Sequence, residues 1–137
     1  MEYKNVLSTC VYCGTGCELY FQVLDGKIVG TLPAKGQHIS NGQLCVKGWN
    51  VHSFVHHPDR LTTPLIRDRK DGELREATWD EALDRIASEF TRIRDERGPD
   101  AMGFLCSAKV SNEANYLFQK FVRAVIGTNN VDHCARL

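Results

Sequence analysis

The chain has 137 residues and a mass of 15.4 kDa, the size of one ordinary domain. Lys plus Arg is 17 and Asp plus Glu is 17, and that balance excludes the cationic face of a nucleic-acid binder. No apolar run nears the roughly 20 residues of a membrane helix, and the start Met1-Glu2-Tyr3-Lys4-Asn5 lacks a signal peptide's cationic head, so a cytoplasmic chain is expected.

Asn5–Ser8 reads as a short strand running into a Cys-rich loop. Glu18–Leu24 and Lys27–Thr31 then flank Asp25-Gly26, a dipeptide suited to a two-residue hairpin turn. Tyr20, Gln22 and Leu24 alternate with Leu19, Phe21 and Val23, so both faces of that strand are expected to be covered. Pro33–Gly42 reads as loop and Cys45–His57 as a short helix or helical turn. Residues 1–57 hold four Lys, no Arg and three acids, whereas residues 58–137 hold thirteen basic and fourteen acidic residues. The prolines from Pro58 to Pro64 mark the change, and a boundary at His57 is expected. So small a first part has little core and needs a staple.

Beyond it, Leu65–Arg67 and Glu73–Glu76 flank Asp71-Gly72 as a second hairpin. Thr78-Trp79-Asp80-Glu81 is a capping-box pattern opening a helix. Trp79, Leu83, Ile86, Phe90 and Ile93 form its core-facing stripe, with Glu81–Arg85 an i,i+4 pair on the wet side. Gly98-Pro99 ends it. Ala101–Cys106 is expected as a buried strand. Ala114, Leu117, Phe118, Phe121, Val122 and Val125 mark a second amphipathic helix, stopped at Gly127. Val131–Cys134 begins another apolar strand. The fold class is mixed α/β: a small β-rich part, then a parallel strand–helix–strand crossover whose sheet is too small to be complete.

Six cysteines stand out, at positions 10, 13, 17, 45, 106 and 134. In a reducing compartment clustered cysteines bind metal or do redox chemistry more often than they form disulfides. Cys10, Cys13 and Cys17 give C-x2-C-x3-C, and Cys45 follows after 27 intervening residues. Gly14 and Gly16 are expected to supply positive φ angles for a tight loop with N–H groups facing an anionic centre, shielded by Val11 and Tyr12. Three ligands plus a remote fourth suit a four-iron cubane, whose corners each take one thiolate; a four-cysteine zinc site stays open as the alternative. Lys47, two residues past Cys45, favours the electron-rich state of such a centre. At about 6 Å and an effective dielectric near 20, one charge contributes roughly 3 kcal/mol, on the order of 0.1 V for one electron. Cys106 and Cys134 read as small core residues, and His56-His57 as solvated. Gly127-Thr128-Asn129-Asn130 is either a helix stop or a polar loop that approaches a ligand.

The run from Cys10 to Cys17 and Leu44-Cys45-Val46-Lys47-Gly48 resembles the N-terminal cluster domain of molybdopterin-dependent oxidoreductases. Thr78-Trp79-Asp80-Glu81-Ala82 and Gly98-Pro99-Asp100-Ala101 are similar to that family's next landmarks. Asn112-Glu113-Ala114-Asn115-Tyr116, Gln119-Lys120-Phe121, Ile126 to Asp132 and Cys134-Ala135-Arg136-Leu137 resemble the catalytic subunit of formate dehydrogenases, along the whole chain. The resemblance implies a 4Fe–4S domain over 1–57 and the incomplete beginning of an α/β molybdopterin-binding domain over 58–137. It implies Cys10, Cys13, Cys17 and Cys45 as cluster ligands and Lys47 as the residue between cluster and pterin that relays electrons. The full subunit of that family carries molybdenum or tungsten on a bis-molybdopterin guanine dinucleotide and interconverts formate and CO2. Its partners are iron–sulfur electron-transfer subunits linked to a hydrogenase, to NAD(P) or to ferredoxin, with no nucleic acid and no membrane span.

In formate dehydrogenases the cysteine or selenocysteine that ligates the metal follows the match to Leu137, and the substrate-site residues lie beyond it. The expectation is that the natural chain continues and that its codon 138 is a UGA read as selenocysteine. The alternative from the residues present is a free-standing 4Fe–4S electron-transfer protein or small subunit without its own catalytic metal. A zinc-stapled interaction module is the third reading.

Overall fold

The computed structural model describes residues 1–134. Its chain divides into two compact units, residues 1–60, 105–119 and 132–134 in the first and residues 61–104 and 120–131 in the second. Among the described residues no helix is long and apolar enough to cross a membrane.

In the first unit, β1 (Tyr3–Thr9), β2 (Glu18–Leu24) and β3 (Lys27–Pro33) form an antiparallel meander in chain order. Strands β1 and β3 each run past the segment that the sequence suggests. At the β2–β3 turn Asp25 and Gly26 take φ of 46° and 80°, the two positive values that a primed hairpin turn requires. The β1–β2 register runs from Tyr3↔Leu24 to Thr9↔Glu18. Cys10 and Cys17 come next, and the Cys10 N–H donates to the Cys17 carbonyl at 2.8 Å. The cysteine-rich segment is therefore the loop of this hairpin.

Behind the sheet stands α1 (Val46–Trp49), followed by turns. Cys10, Leu19 and Val51 are buried together, with Tyr12, Cys17, Phe21 and Leu44 packed around them. The expected double cover of β2 is not found: Leu19 is buried and the other six residues are half-buried. One short helix and Val51 are too small a layer to close both faces of a seven-residue strand. His56 is exposed, as expected, and its Nε2 accepts the Ile28 N–H at 3.0 Å. Ile28 lies on β3 next to Val29, the residue skipped where the β2–β3 register slips by one.

In the second unit β4 (Leu65–Ile66) and β5 (Arg75–Glu76) pair antiparallel, with a turn closed by Gly72 N–H on the Arg69 carbonyl. Helix α2 (Trp79–Arg97) begins as a capping box, the Glu81 N–H donating to Thr78 Oγ1 at 3.1 Å. Glu81 does not make the expected pair with Arg85. Its carboxylate lies 2.6 Å from Arg75, whose guanidinium also grips Asp68 through two bonds of 2.8 Å. A planar fork held by two carboxylates outcompetes a flexible exposed i,i+4 pair. Arg75 is accordingly the main cause holding the Glu81 carboxyl below its ordinary range, with the Thr78 N–H adding to it. Helix α2 stops at Gly98, φ 82°, and a single 3-10 turn, Pro99–Ala101, follows.

The apolar stripe of α2 is only partly a core face. Trp79 is 68% exposed and Leu83 and Ile86 are open to solvent, while Ala82, Met102, Val122 and Ile126 are buried. Leu83, Ile86, Phe90, Phe121, Val125 and Ile126 line an apolar groove of about 300 Å³. Periodicity reports which face is apolar, not whether a second layer covers it.

Strand β6 (Phe104–Ser107), helix α3 (Asn112–Phe121) and strand β7 (Val131–Cys134) make the crossover. Phe104 N–H donates to the Asn130 carbonyl and Ala108 N–H to the Cys134 carbonyl. The chain separation is the same at both ends, so the strands run parallel, as expected. The reading of Ala101–Cys106 as a buried strand fails: the strand starts later, and Leu105 is 78% exposed. Among the described residues the sheet has two strands, which leaves that face uncovered. Helix α3 widens into a π turn, Val122–Ile126, and ends at left-handed Gly127.

The loop after Gly127 is a polar tie. Thr128 is buried, its hydroxyl donates to Asp100 Oδ1 at 2.6 Å, and its Oγ1 accepts the Asn130 N–H at 3.2 Å. The Asn130 amide reaches the carbonyls of Asp100 and Met102. Thr128→Val keeps the shape but removes the donor and the acceptor together. It is expected to lower stability by about 2 kcal/mol in urea denaturation, the cost of a lost bond to a charged group. An unchanged midpoint would show that the tie contributes nothing.

Candidate metal centre

Cys10, Cys13 and Cys17 sit on the β1–β2 loop, and Cys45 is the residue that precedes α1. Gly16 takes the expected left-handed φ of 68°, and its N–H reaches back to the Cys13 carbonyl at 3.4 Å. Gly14 does not have a positive φ, against expectation. It is glycine because of a close approach: a Cβ there would lie 2.5 Å from Asn112 Oδ1. The Asn112 side-chain amide donates to the Gly14 carbonyl at 2.7 Å.

Cys45 and Lys47 are placed from the sheet. Thr31, buried on β3, turns its hydroxyl to the carbonyls of Trp49 at 2.6 Å and Gly48 at 3.2 Å. The Trp49 N–H in turn donates to the Cys45 carbonyl at 3.1 Å. A buried hydroxyl between two helix-end carbonyls satisfies groups that a four-residue helix leaves unpaired.

The thiols share one electrostatic neighbourhood. Burial pushes the Cys10 thiol up, and Cys13, Cys17 and Cys45 each push it further, against a lowering contact from the Tyr12 N–H. All three partners predicted from the three-plus-one spacing thus act on the buried member. Cys13 goes the other way: the Thr15 hydroxyl, then the Thr15 N–H, and also Lys47 favour its thiolate. Cys13 Sγ lies 3.4 Å from Thr15 Oγ1. Lys47 Nζ stands 5.0 Å from the centre of the Tyr12 ring, a cation–π contact that holds the charge beside the loop. Val11, expected with Tyr12 to shield the loop, is exposed, whereas Tyr12 packs on the core.

This donor set fits a cluster. Three further thiols within electrostatic reach of Cys10 would repel its thiolate, so their joint ionisation calls for a cationic core among them. Among the described residues no three His, Cys, Asp or Glu side chains converge at single-ion spacing. A cubane takes its four thiolates at separate corners, a wider arrangement than four ligands round one zinc ion. A cleft of about 220 Å³ opens beside the loop, lined by Cys10, Cys13, Thr15, Glu18, Asn112 and Glu113 among others. Glu113 is held ionised there, its carboxyl lowered by its own N–H and by Ser111.

Cys106 is half-buried on β6 and Cys134 exposed on β7, and neither is among the influences on Cys10 or Cys13. Ala135, Arg136 and Leu137, which end the family-like tract, lie outside the described residues. Sequence reasoning missed Thr15, Thr31 and Asn112. Thr15 had a local signal, a hydroxyl two residues past a ligand; Asn112, 98 residues from Gly14, had none. In iron-free protein, alkylation by iodoacetamide near neutral pH is expected at Cys13 well before Cys10, read by peptide mass spectrometry. Thiolate character and access both favour Cys13, and Cys10 is buried. Equal rates would contradict this electrostatic ordering.

Residues 3–57 match the family model for the molybdopterin oxidoreductase Fe4S4 domain, and residues 60–137 match that for molybdopterin oxidoreductase. The chain is 52% identical over its whole length to the F420-dependent formate dehydrogenase 1 subunit alpha of Methanococcus maripaludis, covering 19% of that protein. It is 46% identical, again over its whole length, to the F420-dependent formate dehydrogenase subunit alpha of Methanocaldococcus jannaschii, with the same 19% coverage. It thus spans about a fifth of the length of these curated relatives. Among solved structures it resembles acetylene hydratase from Pelobacter acetylenicus, with TM-score 0.72 and 25% identity over 93% of this chain and 18% of the other. A 4Fe–4S cluster and molybdopterin are the cofactors these two domains bring, on a mixed α/β fold with a β-rich start. With a cluster domain and a pterin domain matched in tandem along its length, the chain belongs to the molybdopterin oxidoreductase family.

Proposed function

We propose that this chain is the N-terminal part of a formate dehydrogenase or CO2 reductase catalytic subunit. Cys10, Cys13, Cys17 and Cys45 hold its 4Fe–4S cluster, and Lys47 is the relay residue on the pterin side. The observation that carries the reading is that the loop bearing Cys10, Cys13 and Cys17 packs with Leu44, the neighbour of Cys45, and has Lys47 Nζ over its Tyr12 ring. The match of residues 60–137 to the pterin-binding model favours a catalytic subunit over a free-standing electron carrier. The names of the relatives supply formate as the substrate.

When bound, a molybdenum or tungsten bis-molybdopterin guanine dinucleotide centre supplies the two-electron exchange by which formate becomes CO2 and a proton, and the cluster supplies one-electron steps. The chain's own residues hold and bias that cluster. Thr15 offers a hydroxyl and an N–H to the Cys13 sulfur, which favours its ionised form as a ligand. Lys47, anchored over Tyr12, places a positive charge that favours the electron-rich state. The division lies after His57, with the cluster domain before it and the beginning of the pterin domain from Pro58. Six free thiols suit a reducing, cytoplasmic setting, and iron–sulfur subunits are the expected electron partners.

The test is anaerobic purification from the native source, with iron, acid-labile sulfide, zinc, molybdenum and tungsten analysis and a formate-dependent viologen assay. Iron with sulfide, one of the two heavier metals and dye reduction would support the reading. Zinc without sulfide would remove the cluster, and iron–sulfur without molybdenum or tungsten would leave an electron carrier.

A further inference from the structure

We propose that Asn112 is a positioning residue for the cluster: it fixes the Gly14–Thr15 peptide in the loop between Cys13 and Cys17, and with it the Thr15 side chain that meets the Cys13 sulfur. The proposal rests on Cys13 being a cluster ligand. One peptide unit carries both contacts. Its carbonyl end, Gly14 O, accepts the Asn112 amide at 2.7 Å. Its other end belongs to Thr15, whose Oγ1 lies 3.4 Å from the Cys13 sulfur. Holding this peptide in place therefore also holds the Thr15 hydroxyl against the Cys13 sulfur.

The fit at this point is close. The three nearest atoms to a Cβ built on Gly14 all belong to Asn112, at 2.5, 3.3 and 3.5 Å. Asn112 is held in turn on a fixed element. It opens α3, where the Asn115 amide donates to the Ser107 carbonyl at 3.0 Å and the Ala114 N–H donates to Ser111 Oγ at 3.3 Å. Ser111, Asn112 and Glu113 form one wall of the cleft that Cys10 and Cys13 also line. The residue therefore delivers a donor from a distant part of the sequence to the backbone between Cys13 and Cys17.

Hydrogen bonds to ligand sulfurs stabilise the reduced, more negative cluster and raise its potential. Asn112→Ala in the anaerobically prepared holoprotein is expected to keep its iron and to shift the cluster midpoint downward in an EPR-monitored titration. The reduced cluster's g-values should change with it. Gly14→Ala alone is expected to lose iron because its methyl meets Asn112. Gly14→Ala combined with Asn112→Ala should recover that iron, since the obstructing atoms are gone. An unchanged midpoint in Asn112→Ala, or additive losses in the double variant, would overturn the proposal. Should Asn112→Ala lose iron, Asn112→Gln, which keeps the amide, decides: restored iron supports the role and absent iron overturns it. Wild-type protein without iron would instead overturn the cluster assignment itself, before any variant is compared.

Discussion

Cys45→Ala protein, prepared anaerobically, is expected to lose most of its iron and sulfide and nearly all formate-dependent dye reduction, while Cys106→Ala keeps its iron. Cys45 is exposed and outside the buried trio of Cys10, Leu19 and Val51, so its removal leaves that packing intact. In the proposed centre Cys45 is the remote corner, the one ligand not carried by the β1–β2 loop. Three thiols on a single loop then face a cluster with one iron open to solvent and oxidation. Cys106 is the internal control, since it is equally a thiol but lies on β6 and is not among the influences on Cys10 or Cys13. Metal and sulfide analysis reads the outcome directly. Iron loss from both variants, or from neither, would break the assignment of ligands.

Leu19→Ala is the largest expected stability effect, a loss of about 3 kcal/mol in the first unit, the middle of the range for a buried leucine. Leu19 has no exposed surface and packs with Cys10 and Val51 in a very small core. It follows Cys17 by two residues on β2, so a cavity there also slackens the loop that carries three thiols. Iron content is expected to fall with stability, and thermal unfolding of the holoprotein followed at the cluster's visible absorption would show both. Val122→Ala is the comparison. Val122 is as deeply buried but lies in the second unit, so a loss of stability without loss of iron is expected. Equal iron loss in the two variants would deny that the first unit's core supports the centre.

Local chemistry was legible wherever the controlling atoms are close in sequence. Asp25-Gly26 made its turn, Thr78 capped its helix and Gly98 and Gly127 ended theirs, because each depends on backbone angles or bonds within four residues. Candidate ligands were legible as well, since C-x2-C-x3-C is a spacing rule. The errors share a cause. Glu81 took Arg75 rather than Arg85, and Gly14 meets the distant Asn112 where a positive φ was expected. In each case a partner outside the local window won.

The sequence by itself therefore determined the kind of chemistry, thiolates at cluster spacing with a lysine nearby, and most of the element order. Both follow from short-range rules of covalent spacing, turn angles and side-chain periodicity. Only the tertiary structure decided which apolar faces are covered, leaving Leu83, Ile86 and Leu105 open, and which polar groups meet. It alone brought Thr31 to the carbonyls behind Cys45 and Asn112 to the peptide between Cys13 and Cys17. Burial and long-range hydrogen bonds depend on what the rest of the chain places opposite, and no local window contains that information.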